Sequence, residues 1–409
     1  MIFENRSGKG MEIMNKSTEL ITFHGYCNEV NGRAVRTINP PVYRGSTVLF
    51  ENYEDMIQAN RGEYEGVSYG TDRLPTQRAL EEALQVLEDG QLTRIFPSGI
   101  NAIVNTLLAF TRSGDHILLC DNIYGPTARF CRKILSRYQV EIGVVPPAVG
   151  ADIAEYIKGN TRLIFLESPG SNTFEIQDIP AITAITRKKG VVTLLDNTWA
   201  TPLYLNPFDL GVDVSIQSIT KYISGHSDVL LGSATVTAPY ADEFSNFYRV
   251  MEIFASPGDC ALALRGLKTL AVRLEKHERS ALQIAEWLET VDLVDAVIHP
   301  ALPSHPQHHL WKRDFKGSSG LFAFTFKAEY PETVLAAFVN SLNLFGLGYS
   351  WGGFKSLLTA AKYHRSCTSR YAGRTIVRLN IGLEDPADLM DDLQNGFSAL
   401  RKQRESESI

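Results

Sequence analysis

Two patterns of apolar positions alternate along the chain from about residue 76. The stretch TQRALEEALQVLEDG places Leu80, Ala83, Leu84 and Leu87 at helical spacing, and Gly90 is a natural stop after it. Further helical stretches, TARFCRKILSRY and IPAITAITRKKG, alternate with apolar runs typical of buried parallel strands, namely DHILLCD, VEIGVVP, TRLIFLESP and VVTLLDN. This order predicts an α/β layer around a mostly parallel sheet, in which ligands bind beyond the carboxyl ends of the strands.

The pattern changes on both sides of this region. After SPGDC at residues 256–260 come a long helical stretch over 261–289, the strand-like runs GLFAFTFKA and TIVRLNIGLE, and a final helix from about Asp388. Residues 1–75 show no clear period and are rich in Gly, Asn and Tyr. We therefore predict an N-terminal arm over 1–75 that packs on another surface such as a second subunit, a large domain over 76–260 and a smaller α+β domain over 261–409.

The composition argues against several classes of function. The 409 residues carry a formal net charge of −6, which gives no general attraction for nucleic acid or for an anionic membrane. No apolar run reaches the roughly 18 residues that a membrane-spanning helix needs. The first twenty residues are polar and interrupted by charge, unlike a signal peptide. We expect a cytoplasmic protein.

Neither the cysteines nor the histidines form a recognisable metal site. No CxxC pair occurs, so we expect reduced, mostly buried thiols at the five cysteine positions 27, 120, 131, 260 and 367. The segment HPALPSHPQHHLW clusters His299, His305, His308 and His309, and a metal-binding module is the alternative that it raises. No carboxylate or cysteine completes a ligand set at regular spacing there, so we expect a surface loop and no bound metal.

An acid and a lysine follow two of the predicted strands. Asp196 ends the apolar run VVTLLDN, where a carboxylate is costly unless it is paired. Lys221 lies in SIQSITKYISGHSD, just after a run in which Val212, Val214 and Ile216 alternate with other residues. The two could form a simple ion pair. They could also serve one pyridoxal phosphate, with the lysine as its covalent anchor and the acid pairing with the pyridinium nitrogen.

A phosphate site would support the second interpretation. Gly99, in FPSGINAIVNTLLAF, stands at the head of an apolar helix whose free amides can bind an anion, although glycine there is more often a packing choice. Ser218 and Thr220 add two hydroxyl groups beside the lysine, and Tyr124, in CDNIYGPT, can offer a face to the cofactor ring. Each residue alone is weak evidence, and their joint occurrence favours the cofactor.

These segments resemble the Cys/Met metabolism family of pyridoxal-phosphate enzymes from about residue 30 to 400. The resemblance rests on DVSIQSITKYISGHSDVLLG, with FLESPG, LLDNTWATP and RGLKTLAVRL in matching order. It implies the fold type I, aspartate-aminotransferase-like architecture. Within the family, HPALPSHP, WKRDFKGSSGLF, YSWGGF and VRLNIGLED are similar to bacterial cystathionine β-lyases.

The resemblance assigns roles to the residues around the cofactor. Lys221 would hold pyridoxal phosphate covalently and shuttle protons, and Asp196 would keep the pyridine nitrogen protonated. Tyr124 would stack on the ring and assist proton transfer. The phosphate would be bound by backbone amides and hydroxyl groups of four residues, Gly99, Ile100, Ser218 and Thr220.

It also assigns the substrate side of the site. Arg378 would bind the α-carboxylate of an amino-acid substrate, and Tyr349, Ser350 and Trp351 would line that end. Tyr69 would reach into the active site of a neighbouring subunit, so the resemblance implies a homo-oligomer with shared sites, usually a tetramer in this family. The YSW form at 349–351 is that of the β-lyases.

The chain departs from the family pattern near the distal end of the substrate. Thr71 stands where the family has an arginine for the partner's phosphate, and Arg73 is a candidate replacement. Asp72 and Arg129 stand where the β-lyases carry opposite charges. The two residues could simply pair with each other. Alternatively, Asp72 could bind a cationic group such as the guanidinium of canavanine.

The sequence therefore predicts a pyridoxal-phosphate-dependent carbon–sulfur or carbon–oxygen lyase. The first expectation is α,β-elimination of the cystathionine β-lyase type, which yields pyruvate and ammonia. The alternative is a γ-lyase, by γ-elimination or γ-replacement, acting on an amino acid with a cationic distal group and releasing homoserine from canavanine. A structural protein with a decayed site is the rival from another class, since Thr71 breaks a usual contact.

Overall fold

The computed structural model describes residues 15, 16, 18, 26–367 and 370–407. Three sheets occur in this part of the chain: a two-stranded hairpin, a seven-stranded sheet and a five-stranded sheet. The hairpin strands are β1 (Tyr26–Val30) and β2 (Arg33–Thr37). No helix in the described segments is both long enough and apolar enough to cross a membrane.

The seven-stranded sheet has the order β3-β9-β8-β7-β6-β4-β5. Its strands are β3 (Leu92–Phe96), β4 (His116–Cys120), β5 (Glu141–Val145), β6 (Thr161–Glu167), β7 (Val192–Asp196), β8 (Val214–Gln217) and β9 (Gly232–Val236). Strands β4 to β8 run parallel to one another, and β9 runs antiparallel to both β3 and β8. The predicted α/β layer with a mostly parallel sheet is confirmed.

Burial along these strands follows their position in the sheet. The central strand β7 is buried at every residue, as a strand covered by helices on both faces must be. β5 was predicted to be buried, but it is the edge strand and Glu141 is exposed. An edge strand has one free side, which explains why a charged residue is accepted at its start.

The helices alternate with the strands as predicted, with differences at their ends. The first six are α1 (Tyr53–Arg61), α2 (Pro75–Glu88), α3 (Gly99–Phe110), α4 (Gly125–Lys133), α5 (Ile179–Lys189) and α6 (Thr201–Tyr204). The next six are α7 (Ala241–Val250), α8 (Pro257–Leu267), α9 (Leu270–Glu289), α10 (His308–Asp314), α11 (Glu332–Asn340) and α12 (Pro386–Glu407). α2 ends at Glu88, just before the predicted stop at Gly90, because Asp89 takes the left-handed conformation that ends the helix.

The long helical stretch predicted over 261–289 is divided in two. α8 ends at Leu267 and α9 begins at Leu270. Both the amide and the hydroxyl of Thr269 donate to the carbonyl of Gly266, at 3.1 and 3.2 Å, which closes a tight turn between the helices. A threonine hydroxyl that competes for a backbone carbonyl in this way favours a break in a helix. α8 also spans the predicted boundary at 260/261, and the domain limits stay a prediction.

The C-terminal region forms an antiparallel sheet covered by helices. Its order is β10-β11-β14-β13-β12. The strands are β10 (Val294–Ile298), β11 (Leu321–Phe326), β12 (Gly346–Leu347), β13 (Leu357–Lys362) and β14 (Thr375–Asn380). A group of fully buried rings, Phe324, Phe326, Phe338 and Phe397, joins this sheet to α11 and α12.

The two larger sheets are linked next to the carboxyl ends of the parallel strands. The indole nitrogen of Trp199, after β7, donates to the carbonyl of Leu321 at the start of β11, at 2.8 Å. The hydroxyl of Tyr222, after β8, accepts a hydrogen bond from the amide of Gly320 at 2.9 Å. Residues near the predicted site thus form the contact between the sheets, so the site lies where both can contribute side chains.

The N-terminal segment buries almost nothing within its own chain. Among residues 31–35 and 37–69 no side chain is buried, and Leu49 is 87% exposed. α1 has no buried residue. The segment's exposed large apolar side chains include Ile38, Leu49 and Tyr53, and several such side chains on one segment are typical of a surface that another molecule covers. That this arm packs on a second subunit stays a prediction.

Candidate active site

Two acids stand side by side at the carboxyl end of the parallel sheet. Glu167 ends β6, Asp196 ends β7, and the two residues are direct partners in the strand pairing. The hydroxyl and the amide of Thr198 donate to Oδ1 of Asp196 at 2.5 and 3.1 Å. Burial raises the pKa of Asp196, and the Thr198 hydrogen bonds and the Lys221 charge oppose that rise.

Ionisation is less favourable for Glu167 than for Asp196. Burial and the neighbouring Asp196 charge hold the pKa of Glu167 well above its ordinary value. Two like charges on adjacent strand ends cannot both ionise easily, so the group whose pKa is raised more takes the proton. Thr198 gives Asp196 two donors and Lys221 adds an opposite charge, so Asp196 is the anion of the pair and Glu167 is protonated.

Lys221 lies on a turn that follows β8, which we call the lysine turn (residues 218–225). Its amine donates to the hydroxyl of Ser350 at 2.6 Å and lies 5.4 Å from the ring centre of Trp351. Burial, with a smaller contribution from the positive charge of Arg378, lowers the pKa of Lys221 to about 8, although Asp196 opposes the shift. A lysine with this pKa is partly neutral near pH 7, as a nucleophilic amine requires.

The head of α3 has the geometry expected of the predicted anion cradle. The hydroxyl of Ser98 caps the helix by accepting from the amide of Asn101 at 3.2 Å. The amides of Gly99 and Ile100 belong to the first turn, where helix amides have no intrahelical acceptor. A Cβ at position 99 would lie 2.5 Å from the hydroxyl oxygen of Ser218, so only glycine allows this close approach.

The two hydroxyl groups predicted to bind phosphate differ in their surroundings. The amide of Ser218 donates to the Thr198 hydroxyl at 2.9 Å, which joins the lysine turn to the end of β7. The hydroxyl of Thr220 donates to the carbonyl of Leu231 and accepts from its amide, both at 3.1 Å. Thr220 therefore holds the turn to the strand that follows it, and its role toward a phosphate stays a prediction.

Tyr124 is held at the start of α4 by one of the two acids. Its amide donates to Oε2 of Glu167 at 2.6 Å, while its side chain remains 45% exposed. Burial and the nearby Glu167 raise the pKa of the Tyr124 hydroxyl, and Arg129 acts in the opposite direction. The ring is thus available to a ligand, and the hydroxyl stays protonated at neutral pH.

Arg378 brings a cation from the second sheet to this site. It lies on β14, and its guanidinium donates to Oδ1 of Asn172 at 3.2 Å and to the carbonyl of Ser350 at 3.5 Å. Neither partner is charged, so the guanidinium can also bind a carboxylate by donating hydrogen bonds to it. Tyr349 is 92% exposed, and Trp351 packs against Tyr222 with ring centres 5.5 Å apart.

The segment around Tyr69 is not part of this cluster in its own chain. Tyr69 is half exposed, and Oδ2 of Asp72 accepts from the amides of Ser68 and Tyr69, at 2.9 and 3.2 Å, and from the Ser68 hydroxyl. These bonds outweigh the effect of burial and lower the pKa of Asp72. The predicted pairing of Asp72 with Arg129 does not occur among the ion pairs of the described residues.

Arg73 is engaged away from the cluster as well. Its guanidinium forms an ion pair with Glu81 at 3.0 Å, and Arg94 contacts the same carboxylate at 3.3 Å. Glu81 is buried, so breaking the pair would leave a charge with one partner fewer in a dry site. A role for Arg73 in place of the arginine missing at Thr71 would require that break.

Three residues of the cluster were missed by the sequence reasoning. Thr198 orients Asp196, Glu167 holds the Tyr124 amide, and Asn172 accepts from Arg378. Glu167 could have been found, because it ends an apolar strand-like run as Asp196 does. Thr198 and Asn172 lie in irregular segments, where spacing gives no direction to a side chain.

The histidine segment was predicted to be a surface loop, and this is wrong for two of its members. His299 and His305 are buried, and burial lowers the pKa of His299 to about 3 and that of His305 to about 4. They are neutral residues of the interior, and the His299 ring lies 5.3 Å from that of Phe322 on β11. No group of three potential metal ligands occurs in the described part of the chain, and its four described free cysteines include three that are buried.

The residues present fit pyridoxal phosphate. The cluster offers a half-buried amine, an acid kept anionic, an exposed aromatic ring and an anion cradle that a Cβ at position 99 would fill. These are the groups that this cofactor needs for a covalent anchor, a pyridinium partner, a stacking surface and a phosphate site.

Comparison with known proteins supports this fit. A family model described as Cys/Met metabolism PLP-dependent enzyme matches residues 22–398. The putative cystathionine beta-lyase of Rhizobium johnstonii is 48% identical over 366 residues, 88% of this chain and 91% of that protein. The cystathionine beta-lyase MetC of Escherichia coli is 39% identical over 371 residues, 89% of this chain and 94% of that protein. The crystal structure of metB from Corynebacterium glutamicum has a TM-score of 0.85 at 31% identity and covers 95% of this chain and 99% of its own.

We expect capture of pyridoxal phosphate by the cofactor-free protein to accelerate with pH. Only the neutral amine attacks an aldehyde, and the pKa of Lys221 is lowered to about 8. The rate should therefore rise about tenfold per pH unit below that value and level off above it. It is measured from the visible absorption of the bound cofactor. Lys221→Ala should abolish the signal and the exposed-lysine control Lys189→Ala should not; a wild-type signal in Lys221→Ala would refute the assignment.

We expect Thr198→Val to weaken cofactor binding. The substitution removes a hydroxyl that donates to Asp196 and accepts from Ser218. A hydrogen bond to a charged group contributes about 1.5–3 kcal/mol, so the dissociation constant should rise roughly 10- to 100-fold. Thr198→Ser keeps the hydroxyl and is the matched control. Equal affinity in the valine and serine variants, by equilibrium titration, would contradict the role given to Thr198.

Proposed function

We propose that this chain, which belongs to the Cys/Met metabolism PLP-dependent enzymes, is a lyase that performs α,β-elimination of the cystathionine β-lyase type. The observation that carries the proposal is the hydrogen bond of 2.6 Å from the Lys221 amine to the Ser350 hydroxyl. It joins the end of the large sheet to the segment beside Arg378. An amino acid whose carboxylate is bound by Arg378 thus presents its Cα near the lysine.

The residues divide the reaction between them. Arg378 binds the α-carboxylate of the substrate, because its planar guanidinium matches a carboxylate with two hydrogen bonds. Lys221 removes the proton from Cα, since its pKa of about 8 leaves a useful fraction of neutral amine near pH 7. The amine that takes this proton can return it to the leaving group. Ser350 holds the amine between these tasks.

Asp196 and its neighbours would hold the cofactor. Asp196 would keep the proton on the pyridine nitrogen, and Gly99, Ile100 and Ser218 would bind the phosphate. When bound there, pyridoxal phosphate supplies an electron sink that stabilises the carbanion formed at Cα. Tyr124 offers its ring as the stacking surface, and its hydroxyl would assist the transfer of the Cα proton from the amine to the departing sulfur.

The balance of the reaction fixes the products. Loss of the Cα proton and breakage of the Cβ–S bond of cystathionine release homocysteine. Addition of one water to the remaining fragment gives pyruvate and ammonia. The bulky indole of Trp351 beside the amine favours this reaction over removal of a γ-substituent, because it occupies space next to the lysine. The similarity of the YSW segment to the β-lyases points the same way.

The observed contacts of Asp72 do not favour the alternative substrate with a cationic distal group. Its carboxylate already accepts hydrogen bonds from the amides of Ser68 and Tyr69. A guanidinium would have to compete with these donors, which weakens its hydrogen bond to Asp72. We propose that the enzyme works in the cytoplasm as a homo-oligomer in which Tyr69 completes a neighbouring site, with a tetramer as the expected assembly. The exposed arm over 31–69 and the half-exposed Tyr69 support this proposal.

We expect pyruvate and homocysteine from cystathionine in a panel that also contains cysteine conjugates, methionine, O-acylhomoserines and canavanine. Pyruvate, 2-oxobutyrate and homoserine are quantified for each compound, together with loss of the Cα proton in D2O. Arg378→Lys should raise KM for every substrate, because an ammonium cannot form the bidentate pair of hydrogen bonds that a guanidinium forms with a carboxylate. Homoserine from canavanine without pyruvate from cystathionine would overturn the proposal. Proton exchange at Cα without cleavage would also overturn it.

We expect Asp72→Asn to change stability and leave substrate preference unaltered. An amide at this position keeps an acceptor oxygen for the turn but loses the charge that strengthens its hydrogen bonds, so the cost should stay below the ~1 kcal/mol of losing a cap altogether. Thermal unfolding measures that cost, and kcat/KM on cystathionine and canavanine measures preference. The ratio of the two kcat/KM values tests whether the charge of Asp72 sets substrate preference: a shift toward or away from canavanine would restore the cationic-group alternative.

A further inference from the structure

The segment RGLKTLAVRL, residues 265–274, holds none of the residues given a role above. It spans the break between α8 and α9. Gly266, Thr269 and Arg273 of this segment all meet around the backbone of the lysine turn. Three residues of one segment that converge on the turn carrying Lys221 call for an explanation.

The lysine turn satisfies only some of its own carbonyl groups. Four of them accept hydrogen bonds from within the turn: Ser218 from the Lys221 amide at 3.0 Å, Ile219 from the Ser224 amide at 2.9 Å, Thr220 from the Ser224 hydroxyl at 3.1 Å and Lys221 from the Gly225 amide at 2.8 Å. The next two carbonyls, those of Tyr222 and Ile223, point out of the turn. Buried carbonyls need partners, so these two require donors from elsewhere.

Arg273 supplies both donors. Its Nη1 donates to the Tyr222 carbonyl at 2.7 Å, and its Nη2 donates to the Ile223 carbonyl at 3.3 Å and to the Gly266 carbonyl at 2.8 Å. Its Nε donates to the Thr269 hydroxyl at 3.1 Å. The residue is 6% exposed, and all four of these acceptors are neutral oxygens. A cation at the carbonyl end of a helix-like turn is favoured by the backbone dipoles.

Close packing holds the turn from two sides. A Cβ at Gly266 would lie 2.3 Å from the Ser224 carbonyl oxygen, so a larger residue there would push α8 away from the turn. On the other side, a Cβ at Gly352 would lie 2.8 Å from the Tyr222 amide nitrogen and 2.9 Å from the carbonyl carbon of Lys221. The turn is therefore packed between α8 and the segment that carries Ser350.

Tyr222 connects the lysine turn to the segment that carries Ser350 and Trp351. Its hydroxyl accepts from the Gly320 amide at 2.9 Å, and its ring lies 5.5 Å from that of Trp351 and 5.2 Å from that of His277. Ser350 and Trp351 are neighbours in the chain. A displacement of the Tyr222 carbonyl would thus change the relation between the Lys221 amine and the Ser350 hydroxyl.

We propose that Arg273 is a positioning residue for Lys221: its hydrogen bonds to the Tyr222 and Ile223 carbonyls fix the lysine turn so that the amine lies at Ser350. This inference rests on the proposed role of Lys221 and is independent of which substrate is cleaved. Arg273 touches neither the amine nor the carboxylate-binding end of the site. Its removal should therefore affect proton transfer more than substrate binding.

The test compares Arg273→Gln and Arg273→Lys with the wild-type holoenzyme. Arg273→Gln should lower kcat about 100-fold, the size expected for a displacement of about 1 Å at a reacting group, while KM changes little because Arg378 is intact. Arg273→Lys should recover part of the loss, since an ammonium can still donate to one carbonyl. Hydrogen exchange of the peptide over 219–225 should increase in the same order as kcat falls.

Arg162→Gln is the matched control. Arg162 also donates to a backbone carbonyl, that of Phe110 at 3.2 Å, and contacts Glu243, but it lies on β6 away from the lysine turn. It should leave kcat and the exchange of 219–225 at wild-type values. If Arg273→Gln does not fold, Thr269→Val replaces it. It removes the hydroxyl that accepts from Nε of Arg273 and donates to the Gly266 carbonyl, but leaves the guanidinium bonds to the lysine turn in place. It should give a smaller fall in kcat and a smaller rise in exchange.

The outcomes separate this inference from the proposed function. Folded Arg273 or Thr269 variants with wild-type kcat and wild-type exchange would overturn the inference, and so would a lower melting temperature with both values unchanged. Borohydride reduction of the wild-type holoenzyme, followed by peptide mapping, identifies the residue that holds the cofactor. A label elsewhere than Lys221 refutes the proposed function. A label on Lys221 with unaltered Arg273 variants refutes only the positioning role.

Discussion

The site depends on the Lys221 amine, which lies at the contact between the two larger sheets and is held there by the tightly packed backbone of the lysine turn. Lys221 reaches Ser350 at 2.6 Å from a turn that follows β8, and the segment of Gly352 packs directly on that turn. From the opposite side, Arg273 donates to two further carbonyl groups of the turn, those of Tyr222 and Ile223. Because interiors are close-packed and rearrange in discrete steps, the amine keeps one position relative to both sheets. The Cα chemistry proposed for Lys221 requires this constancy.

Electrostatics then gives each ionisable group a different state. Glu167 and Asp196 end neighbouring strands, but only Asp196 receives two hydrogen bonds from Thr198 and the charge of Lys221. The raised pKa of Glu167 makes it the protonated member, and its carboxyl oxygen accepts from the Tyr124 amide. The two acids thus have different roles: Asp196 supplies a negative charge, and Glu167 holds the backbone of Tyr124. The difference comes from the groups around each carboxyl, namely the Thr198 donors and the Lys221 charge at Asp196.

The sequence was sufficient for the parts that follow regular spacing. Strand runs and the rule for strand ends placed Asp196 and Lys221 at the same edge of a parallel sheet. It was insufficient where a side chain turns back on its own backbone or is covered by a distant segment. Asp72 caps its own turn, Thr198 reaches back to Asp196, and His299 is buried under a sheet that forms later in the chain. Such contacts depend on the path of irregular segments and leave no period in the sequence.

The N-terminal segment has an ordered turn but little contact with the rest of its own chain. Tyr69 and Asp72 lie on a turn whose hydrogen bonds are satisfied locally, and Arg73 points back to Glu81. The turn is therefore preformed, although residues 31–35 and 37–69 bury no side chain against their own chain. A rigid turn on an exposed arm can bind a second surface without a large ordering cost. If the arm packs on a second copy, as proposed, the half-exposed Tyr69 reaches the neighbouring site as part of a structure that already exists, and assembly and catalysis share the same contact.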